Sequence, residues 1–581
     1  MGKKWKICET DDKTIEELEV KYNLNKLIAT ILSNRGINEE KQIEKFLNPK
    51  RDDFYNPFLM PDMKKAVNRI LKAIENKEKM IIYGDYDVDG ITSITVLKSF
   101  FEDRGVDIDT YIPNRIEEGY GLNKKAIDSI IEQKYSLMIT VDCGISGIDE
   151  VEYGNSRGLE TIITDHHEIG DNIPNAVAVV DAKRKDSNYP CRDLAGVGVA
   201  FKLIQALVME LKLDEKEYLK YLDIVCIGTI SDIVPLIDEN RVIAKLGLML
   251  ASQTKNMGLK SILISSGYKK VDSTTISFGV APRINACGRM GDADKALSLF
   301  LSKNLNQVNT LTEQLNQYNK QRQEIEKSIF EEAIKKIEKN QLENNKTIVL
   351  IGKGWHHGVI GIVSSKITEI YYKPSILLCD EEKGLVKGSG RSIQGFDLYN
   401  ALYKCKDEIE NFGGHAMAIG LIIKQSNFAK FKNEFEKIAD NAKIQELEPI
   451  INIDAKIELD EINMQMVESL KQLEPFGEAN KMPIFLFKNL KIDSIRSLSE
   501  GKHLKLTLRS NNTVINAIGF NQGNLVNEYK IGDKIDVVGM IEVNYFGGNQ
   551  NLQINIKDVK GSIEQKRTLK NSFLYKNSSL K

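Results

Sequence analysis

Between about Met80 and Pro235, short apolar runs alternate with amphipathic stretches. The runs 80–83 (Met-Ile-Ile-Tyr), 137–141 (Leu-Met-Ile-Thr-Val) and 161–164 (Thr-Ile-Ile-Thr) read as buried strands. Each stops at or beside acidic or histidine residues. Helical patterns over 91–104 and 124–134 lie between them. This alternation predicts βαβ units and a parallel sheet. Such sheets bind ligands beyond the carboxyl ends of their strands, where these polar residues fall.

From about Ala293 to Asn345 the chain turns polar and nearly free of Gly and Pro, with Leu299, Leu305, Val308, Leu311, Leu315 and Tyr318 at helical spacing. One or two long helices joining two lobes are expected. A coiled-coil dimer is the alternative, but the apolar repeat is too irregular for a clean heptad. A second, glycine-rich α/β lobe follows, with strands near 347–351 and 374–378. After about Pro449, the segments 451–453, 504–508, 535–543 and 552–556 read as mostly alternating strands, with turn signals at Gly532-Asp533 and Gly547-Gly548-Asn549. A small barrel or sandwich is expected there. The expected organisation is an N-terminal segment over 1–55, a parallel-sheet domain over 56–245, a helical connector over 246–345, a second α/β domain over 346–445, a β-domain over 446–562 and a tail over 563–581.

The 581 residues are too many for one core, in keeping with several domains. No apolar run in residues 1–30 is long enough for a signal peptide or a membrane span, so a cytoplasmic protein without membrane contact is expected. The seven cysteines are scattered with no Cys-x-x-Cys pair, which argues against a zinc ribbon or a disulfide framework. A net charge of -2 excludes a uniformly basic, nucleic-acid-coating surface, yet local charge decides such binding and both signs are abundant. The basic tail from Gln565 to Lys581 reads as a solvated terminus.

Candidate chemistry concentrates at the strand ends. Asp85, Asp87 and Asp89 fall within Tyr83-Gly-Asp-Tyr-Asp-Val-Asp-Gly90. Three carboxylates so close raise one another's pKa, and a bound dication removes the conflict. Asp142, then Asp165-His166-His167, then Asp232 follow in order. Carboxylates with imidazole and no thiol favour Mn²⁺ or Mg²⁺ over structural zinc. An EF-hand is excluded because Val96 stands at the twelfth position and a strand precedes the loop. Singly, each element reads as a solvated turn or helix cap; their succession does not. Two ions about 3.5–4 Å apart clamp a phosphoryl group and supply hydroxide, and Asp142 is best placed to bridge them.

These residues resemble the DHH phosphoesterase superfamily, through Gly84-Asp-Tyr-Asp-Val-Asp-Gly90, Val141-Asp-Cys-Gly144, Asp165-His-His167 and Ser231-Asp-Ile-Val-Pro-Leu236 in order. The second lobe is similar to the associated DHHA1 domain through Gly388-Ser-Gly-Arg-Ser392 and Gly413-Gly-His-Ala416. More narrowly, the chain resembles the RecJ family of single-strand-specific 5′→3′ DNA exonucleases. Tyr111-Ile-Pro-Asn-Arg115, Gly119-Tyr-Gly-Leu122, Ala281-Pro-Arg-Ile-Asn-Ala-Cys-Gly-Arg-Met290, Gly354-Trp-His-His-Gly-Val-Ile-Gly361 and Glu474-Pro-Phe-Gly477 support it. The resemblance implies an α/β DHH domain, a long helical connector, an α/β DHHA1 domain and an OB-like barrel. It implies two Mn²⁺ or Mg²⁺ ions, one held by Asp89, Asp142, His166 and Asp232, the other by Asp85 and Asp87 with Asp142. His167, with Asp165, takes the catalytic role at the scissile phosphate. The superfamily places a histidine four residues before its first ligand aspartate. Tyr83 holds that place relative to Asp87, so Asp85 is the candidate substitute and the division of ligands stays open.

Glycines that let N–H groups approach an anion, with arginine beside them, suit a nucleic-acid backbone. The candidates are Ser389, Arg391, Ser392, Gly413, Gly414 and His415, with Arg115, Arg283 and Arg289. His356 and His357 cap a helix or touch DNA, and His503 is a barrel surface residue. In an OB-like barrel, Phe520, Tyr545 and Phe546 would stack on bases, and Lys502, Lys505, Lys530 and Lys534 would supply charge. The implied partners are single-stranded DNA, single-strand-binding protein and a helicase, in repair and recombination. Rival readings are a DHH enzyme for cyclic dinucleotides or short RNA, and a non-catalytic binder with a degenerate site.

Overall fold

The computed structural model describes residues 3–115, 117–380, 384–546 and 549–562. They form two compact units. The larger runs over Pro49–Leu447 and holds two sheets. Its first is wholly parallel, in the order β2-β1-β3-β4-β5, with β1 at Met80–Gly84, β2 at Asp109–Tyr111, β3 at Leu137–Val141, β4 at Glu160–Thr164 and β5 at Ala178–Val180. β1 and β3 are buried at every residue, as expected for a parallel sheet covered on both faces. The register matters most for function. Gly84 stands opposite Val141, Val141 opposite Thr164, and Thr164 opposite Val180. The next residues, Asp85, Asp142, Asp165 and Asp181, therefore emerge in a row along one sheet edge.

Helices α1 (Val88–Glu102), α2 (Gly196–Glu210) and α3 (Leu222–Ser231) are buried nearly throughout. The expected connector contains α4 (Leu305–Lys339), a 35-residue helix. Val308, Leu311 and Leu315 sink into the first core, and Ile329, Ala333 and Ile337 pack with Ile348, Val359 and Ile360 of the second lobe. That lobe is built on a mixed sheet ordered β9-β10-β8-β7-β6, with β6 at Ile348–Gly352, β7 at Ser375–Asp380, β8 at Leu385–Arg391, β9 at Asn411–His415 and β10 at Ala418–Lys424. Helix α5 (His357–Tyr371) follows β6.

The smaller unit contains Met1–Asn48 and most of the chain after Glu448. Strands Phe485–Leu498, His503–Ser510, Thr513–Gly519, Asn549–Gly561 and Lys534–Phe546 pair in that spatial order, and the last pairs back with the first, closing an OB-like five-stranded barrel. Two expectations are corrected here. Ile450–Ile453 is not a barrel strand but pairs in parallel with Lys4–Ile7. The N-terminal residues are no separate segment either, because Ile15, Leu18, Ile28, Leu32 and Phe46 share one core with Phe485, Leu506 and Ile554 of the barrel. The seven cysteines are free. Among the described residues no helix is long and apolar enough to cross a membrane.

Candidate active site

The row of strand-end aspartates is completed by two helices. Asp87 caps α1, its Oδ1 accepting from the N–H groups of Asp89 (2.9 Å) and Gly90 (3.1 Å). The cap leaves the buried Asp89 facing α2, where its oxygens accept from Gly196 N (2.6 Å) and Val197 N (2.8 Å). Asp142 is held in a left-handed conformation (φ 58°), the kind of backbone strain that accumulates at functional sites. Gly196 makes its close approach possible, since a Cβ there would lie 2.6 Å from Asp142 Cβ. Asp232 caps the C-terminus of α3. His166 Nε2 sits among them, 3.1 Å from Asp142 Oδ1, 3.6 Å from Asp232 Oδ2 and 3.7 Å from Asp89 Oδ2.

Three sets of donor atoms result: Asp85, Asp87 and Asp142; Asp89, His166 and Asp232; and Asp142, His166 and His167, the atoms of each set within 4.8 Å of one another. Such crowding is unfavourable without a cation. Burial, then the neighbouring Asp89, Asp87, Asp85 and Asp232, push Asp142 well above the usual carboxylate range. Asp85 is raised likewise by burial and Asp87, and its buried Oδ1 has no hydrogen-bond partner among the described residues. Burial, with Asp89 and Asp87 next, lifts Asp232 to about 9; burial and Asp87 lift Asp89 to about 7. His166 is pressed down to about 3, by burial and then by His167, so it offers a neutral imidazole lone pair. An unpartnered buried carboxylate oxygen, clustered acids and a neutral imidazole fit hard divalent cations.

A pH effect on stability follows. Between pH 6.5 and 9 the folded metal-free protein holds protons on Asp232 and His167 that the unfolded chain has released, so stability falls as pH rises. His166 titrates below this window and does not oppose the trend. Each such group costs about 1.4 kcal/mol per pH unit. The melting temperature of the metal-free protein should drop by several degrees across the window, and Mn²⁺ should raise it most at pH 9. A melting temperature that is flat or rising with pH would contradict the crowding.

Asp165 serves differently from its neighbours. Its Oδ1 accepts from His167 Nδ1 (2.7 Å), His166 N (2.7 Å) and His167 N (3.2 Å), and its Oδ2 from Ile145 N (2.8 Å). Through these four bonds it orients His166 and His167. Against the downward pull of burial, the Asp165 hydrogen bond and charge raise His167 to about 9. Tyr83 does not reach toward the acids; its hydroxyl donates to Gly121 O (2.9 Å). Sequence reasoning missed Asp181, which is fully buried, raised to about 7 by burial, and has an Oδ2 without a partner among the described residues. The signal was the one that found the others: an apolar run, 176–180, ending at an aspartate.

Arg115, Arg289 and Arg391 converge in the larger unit. Burial lowers the pKa of both Arg289 and Arg391, and the charge of Arg115 is the next cause in each case. Arg115 Nε is buried with no partner among the described residues, and its guanidinium lies 4.9 Å from the Tyr86 ring centroid. Arg391 donates to Ser389 Oγ at 2.9 Å. The glycines of α5 bring its first turns close, since a Cβ on Gly358 would lie 2.6 Å from Arg289 O and one on Gly361 3.1 Å from Arg391 Nη2. His356 caps α5, accepting from Gly358 N at 3.1 Å, and burial lowers His357 to about 4. Arginines pressed together beside a helix N-terminus call for an anion.

The structure places the other candidates as follows. Arg283 spends its guanidinium on Asn316 Oδ1, Gly279 O and Ser265 O, and so clasps helices. Ser392 is buried and donates to Phe396 O at 2.7 Å, a loop bond with no hydroxyl left for a phosphate. Gly413, Gly414 and His415 lie exposed on β9, the edge strand, and His415 Nδ1 accepts from Met417 N. In the barrel, half-exposed Phe520 packs edge-on against His503, with ring centroids 5.4 Å apart. The side chains of Tyr545 and Phe546, the Gly547-Gly548 turn and the basic tail lie outside the described residues.

Comparison with known proteins agrees with this architecture. The family described as "DHH family, N-terminal domain" matches residues 79–229, "DHHA1 domain" matches 344–441 and "RecJ OB domain" matches 453–558. The chain is 39% identical over 560 residues to the single-stranded-DNA-specific exonuclease RecJ of Bacillus subtilis, covering 96% of this chain and 70% of that one. It is 32% identical to the Haemophilus influenzae protein of the same name, covering 91% and 95%. Its fold is similar to the crystal structure of Thermus thermophilus RecJ in complex with Mn²⁺, with a TM-score of 0.83 at 27% identity over 96% of this chain and 79% of that one. The Mg²⁺ complex of that protein matches with a TM-score of 0.76 at 26% identity, over 96% and 78%. With all three domains in order and 39% identity to a relative over 96% of its own length, the chain belongs to the RecJ family of single-stranded-DNA-specific exonucleases.

Proposed function

We propose that this chain digests single-stranded DNA from a 5′ end by metal-dependent hydrolysis, releasing 5′-mononucleotides. The observation that carries the reading is the nesting of donor sets around Asp142, next to a cluster of half-buried arginines. Asp85, Asp87 and Asp142 would hold one Mn²⁺ or Mg²⁺, and Asp89, Asp142, His166 and Asp232 the other. When bound, the ions neutralise the phosphate and activate water at neutral pH. The protein supplies the rest. Neutral His166 is oriented by its own backbone contact to Asp165, while His167, charged through Asp165, offers Nε2 to the scissile phosphate. Arg115, Arg289 and Arg391, with Ser389, receive the terminal 5′-phosphate and fix where the strand stops relative to the carboxylates. The barrel holds the trailing strand through its exposed face.

The test is digestion of end-labelled single-stranded and duplex DNA with Mn²⁺, comparing 5′-phosphorylated with blocked ends and with a cyclic dinucleotide. Mononucleotides from phosphorylated single strands are expected; turnover of the cyclic dinucleotide alone would overturn the reading. Arg391→Ala should raise KM for 5′-phosphorylated strands about tenfold or more, as loss of a bidentate charge-assisted contact does, and leave kcat nearly unchanged. A free single-stranded end must be supplied by an activity that opens duplexes. The proposed partners are therefore a helicase and a single-strand-binding protein, in cytoplasmic DNA repair and recombination. Faster digestion of blunt duplex on adding a helicase would support this.

A further inference from the structure

Helix α3 ends against the usual electrostatic preference. The carboxyl end of a helix carries partial negative charge, yet Asp232 caps it, its N–H donating to Gly228 O at 2.9 Å. The donor set with Asp89 and His166 accounts for that acid. The next residue departs from preference as well, and no donor set accounts for it. Ile233 is left-handed, with φ 61°. The position after a helix cap commonly takes that conformation, and glycine or asparagine commonly fills it. A side chain branched at Cβ crowds the backbone there. Among the described non-glycine residues with positive φ, Ile233 is the one branched at Cβ.

Burial does not offset that strain. Ile233 is 69% exposed, whereas Val234 and Leu236, on either side of Pro235, are buried in the core of the larger unit. An exposed apolar side chain alone needs no explanation, and a left-handed residue alone can simply turn the chain. The combination is different, because asparagine would turn the chain with less strain and expose nothing apolar. The side chain at 233 therefore has a use outside the fold itself. Its position says where. Asp232, one residue back, sets Oδ2 3.6 Å from His166 Nε2 and keeps its side chain 25% exposed, so the donor set opens to solvent beside Ile233. With about 3.8 Å between consecutive Cα atoms, Ile233 stands on the rim of that opening. The carboxylates and imidazole within it suit ions and a phosphate. The apolar part of a nucleotide is the face of its base, which stacked neighbours cover in a duplex and which an unpaired strand can turn outward.

We propose that Ile233 is a substrate-contact residue that packs its branched side chain against an unpaired base adjoining the scissile phosphate. The proposal rests on the reading of the chain as a single-strand exonuclease and names a contact that favours such strands, since a paired and stacked base has no free face to offer.

Ile233→Asn and Ile233→Val would be compared with wild type on 5′-phosphorylated single strands with Mn²⁺, on the same strands made abasic at their first three positions, and by melting without DNA. Ile233→Asn should raise KM about fivefold or more with kcat within about twofold, as loss of an aliphatic contact does. The Mn²⁺ concentration giving half the maximal rate should not move. Abasic strands should raise KM for wild type and leave Ile233→Asn with little further loss. Ile233→Asn should melt at or slightly above wild type, because its backbone strain is relieved. Ile233→Val keeps the branch and most of the contact, and its KM should stay within about twofold. The proposal is overturned by a wild-type KM in Ile233→Asn, or by an equal loss on intact and abasic strands. It is also overturned by a shifted Mn²⁺ requirement, which would make Ile233 a support for Asp232, or by a melting temperature several degrees lower, which would make it a structural residue. Each of these leaves the exonuclease reading standing. No digestion of single strands by wild type would remove that reading, and the proposal with it.

Discussion

Asp142→Ala is expected to abolish metal-dependent hydrolysis, lowering kcat by about a thousandfold or more. Asp142 belongs to both the Asp85–Asp87 donor set and the one with His166 and His167, so its loss takes a ligand from each proposed ion. No neighbour can replace it. Asp85 and Asp87 lie on one side, Asp89 and Asp232 on the other, and the left-handed backbone at Asp142 is what sets its carboxylate between them. The change has a second, opposite consequence. In the metal-free protein Asp142 is buried among four other aspartates and is driven far above the usual carboxylate range, first by burial and then by their charges. Removing it relieves that conflict. Asp142→Asn, which keeps the shape and tolerates the left-handed backbone, should therefore be as inactive as the alanine variant and melt no lower than wild type without metal. Its gain in melting temperature on adding Mn²⁺ should shrink. Loss of activity with an undiminished Mn²⁺ effect would mean that Asp142 acts in the reaction without holding ions, and full activity with Mn²⁺ would sink the assignment.

Why these acids could be read from sequence while other features could not is a matter of range. Asp85, Asp142 and Asp165 each follow a short apolar run, and such runs alternating with helical patterns read as interior strands of a covered parallel sheet. Period and punctuation together place such residues at one edge. The long helix is legible for the same local reason, with Val308, Leu311 and Leu315 recurring at its period. The pairing of Lys4–Ile7 with Ile450–Ile453 leaves no local mark, because it joins segments more than four hundred positions apart. The same holds for the arginines. Arg115, Arg283, Arg289 and Arg391 look alike in the chain, and only the packing of α5 decides that three of them meet while Arg283 is spent on carbonyls and Asn316. Ser392 turns to Phe396 O for the same reason: a motif gives residue type and spacing, whereas the direction of a side chain beyond a strand end is set by what packs around it.

Asp165→Asn should lower kcat about a hundredfold, although Asp165 touches neither ion nor substrate in the proposed scheme. The carboxylate accepts four N–H bonds, three on Oδ1 and one on Oδ2. An amide has one oxygen. If the oxygen stays with His166 and His167, the NH₂ group faces the buried N–H of Ile145, donor against donor; if it turns to Ile145, the NH₂ faces three donors. Either way a buried polar group loses its partner, at a cost of about 1–3 kcal/mol in stability. The charge is lost as well. Burial alone would hold His167 below its ordinary value, and the hydrogen bond and charge of Asp165 lift it to about 9. A raised histidine keeps its charge below that pKa and loses it as pH rises through it, so in wild type the charged form persists to about pH 9. Without the carboxylate the charge is lost nearer the unperturbed value of about 6.5. The alkaline limb of kcat against pH should therefore move down by at least about one unit in Asp165→Asn, while Asp142-dependent binding of Mn²⁺, read by melting temperature, is largely kept. An unshifted alkaline limb with full kcat would show that the triplet's first residue only shapes the loop, and would return the charge at the scissile phosphate to the arginines.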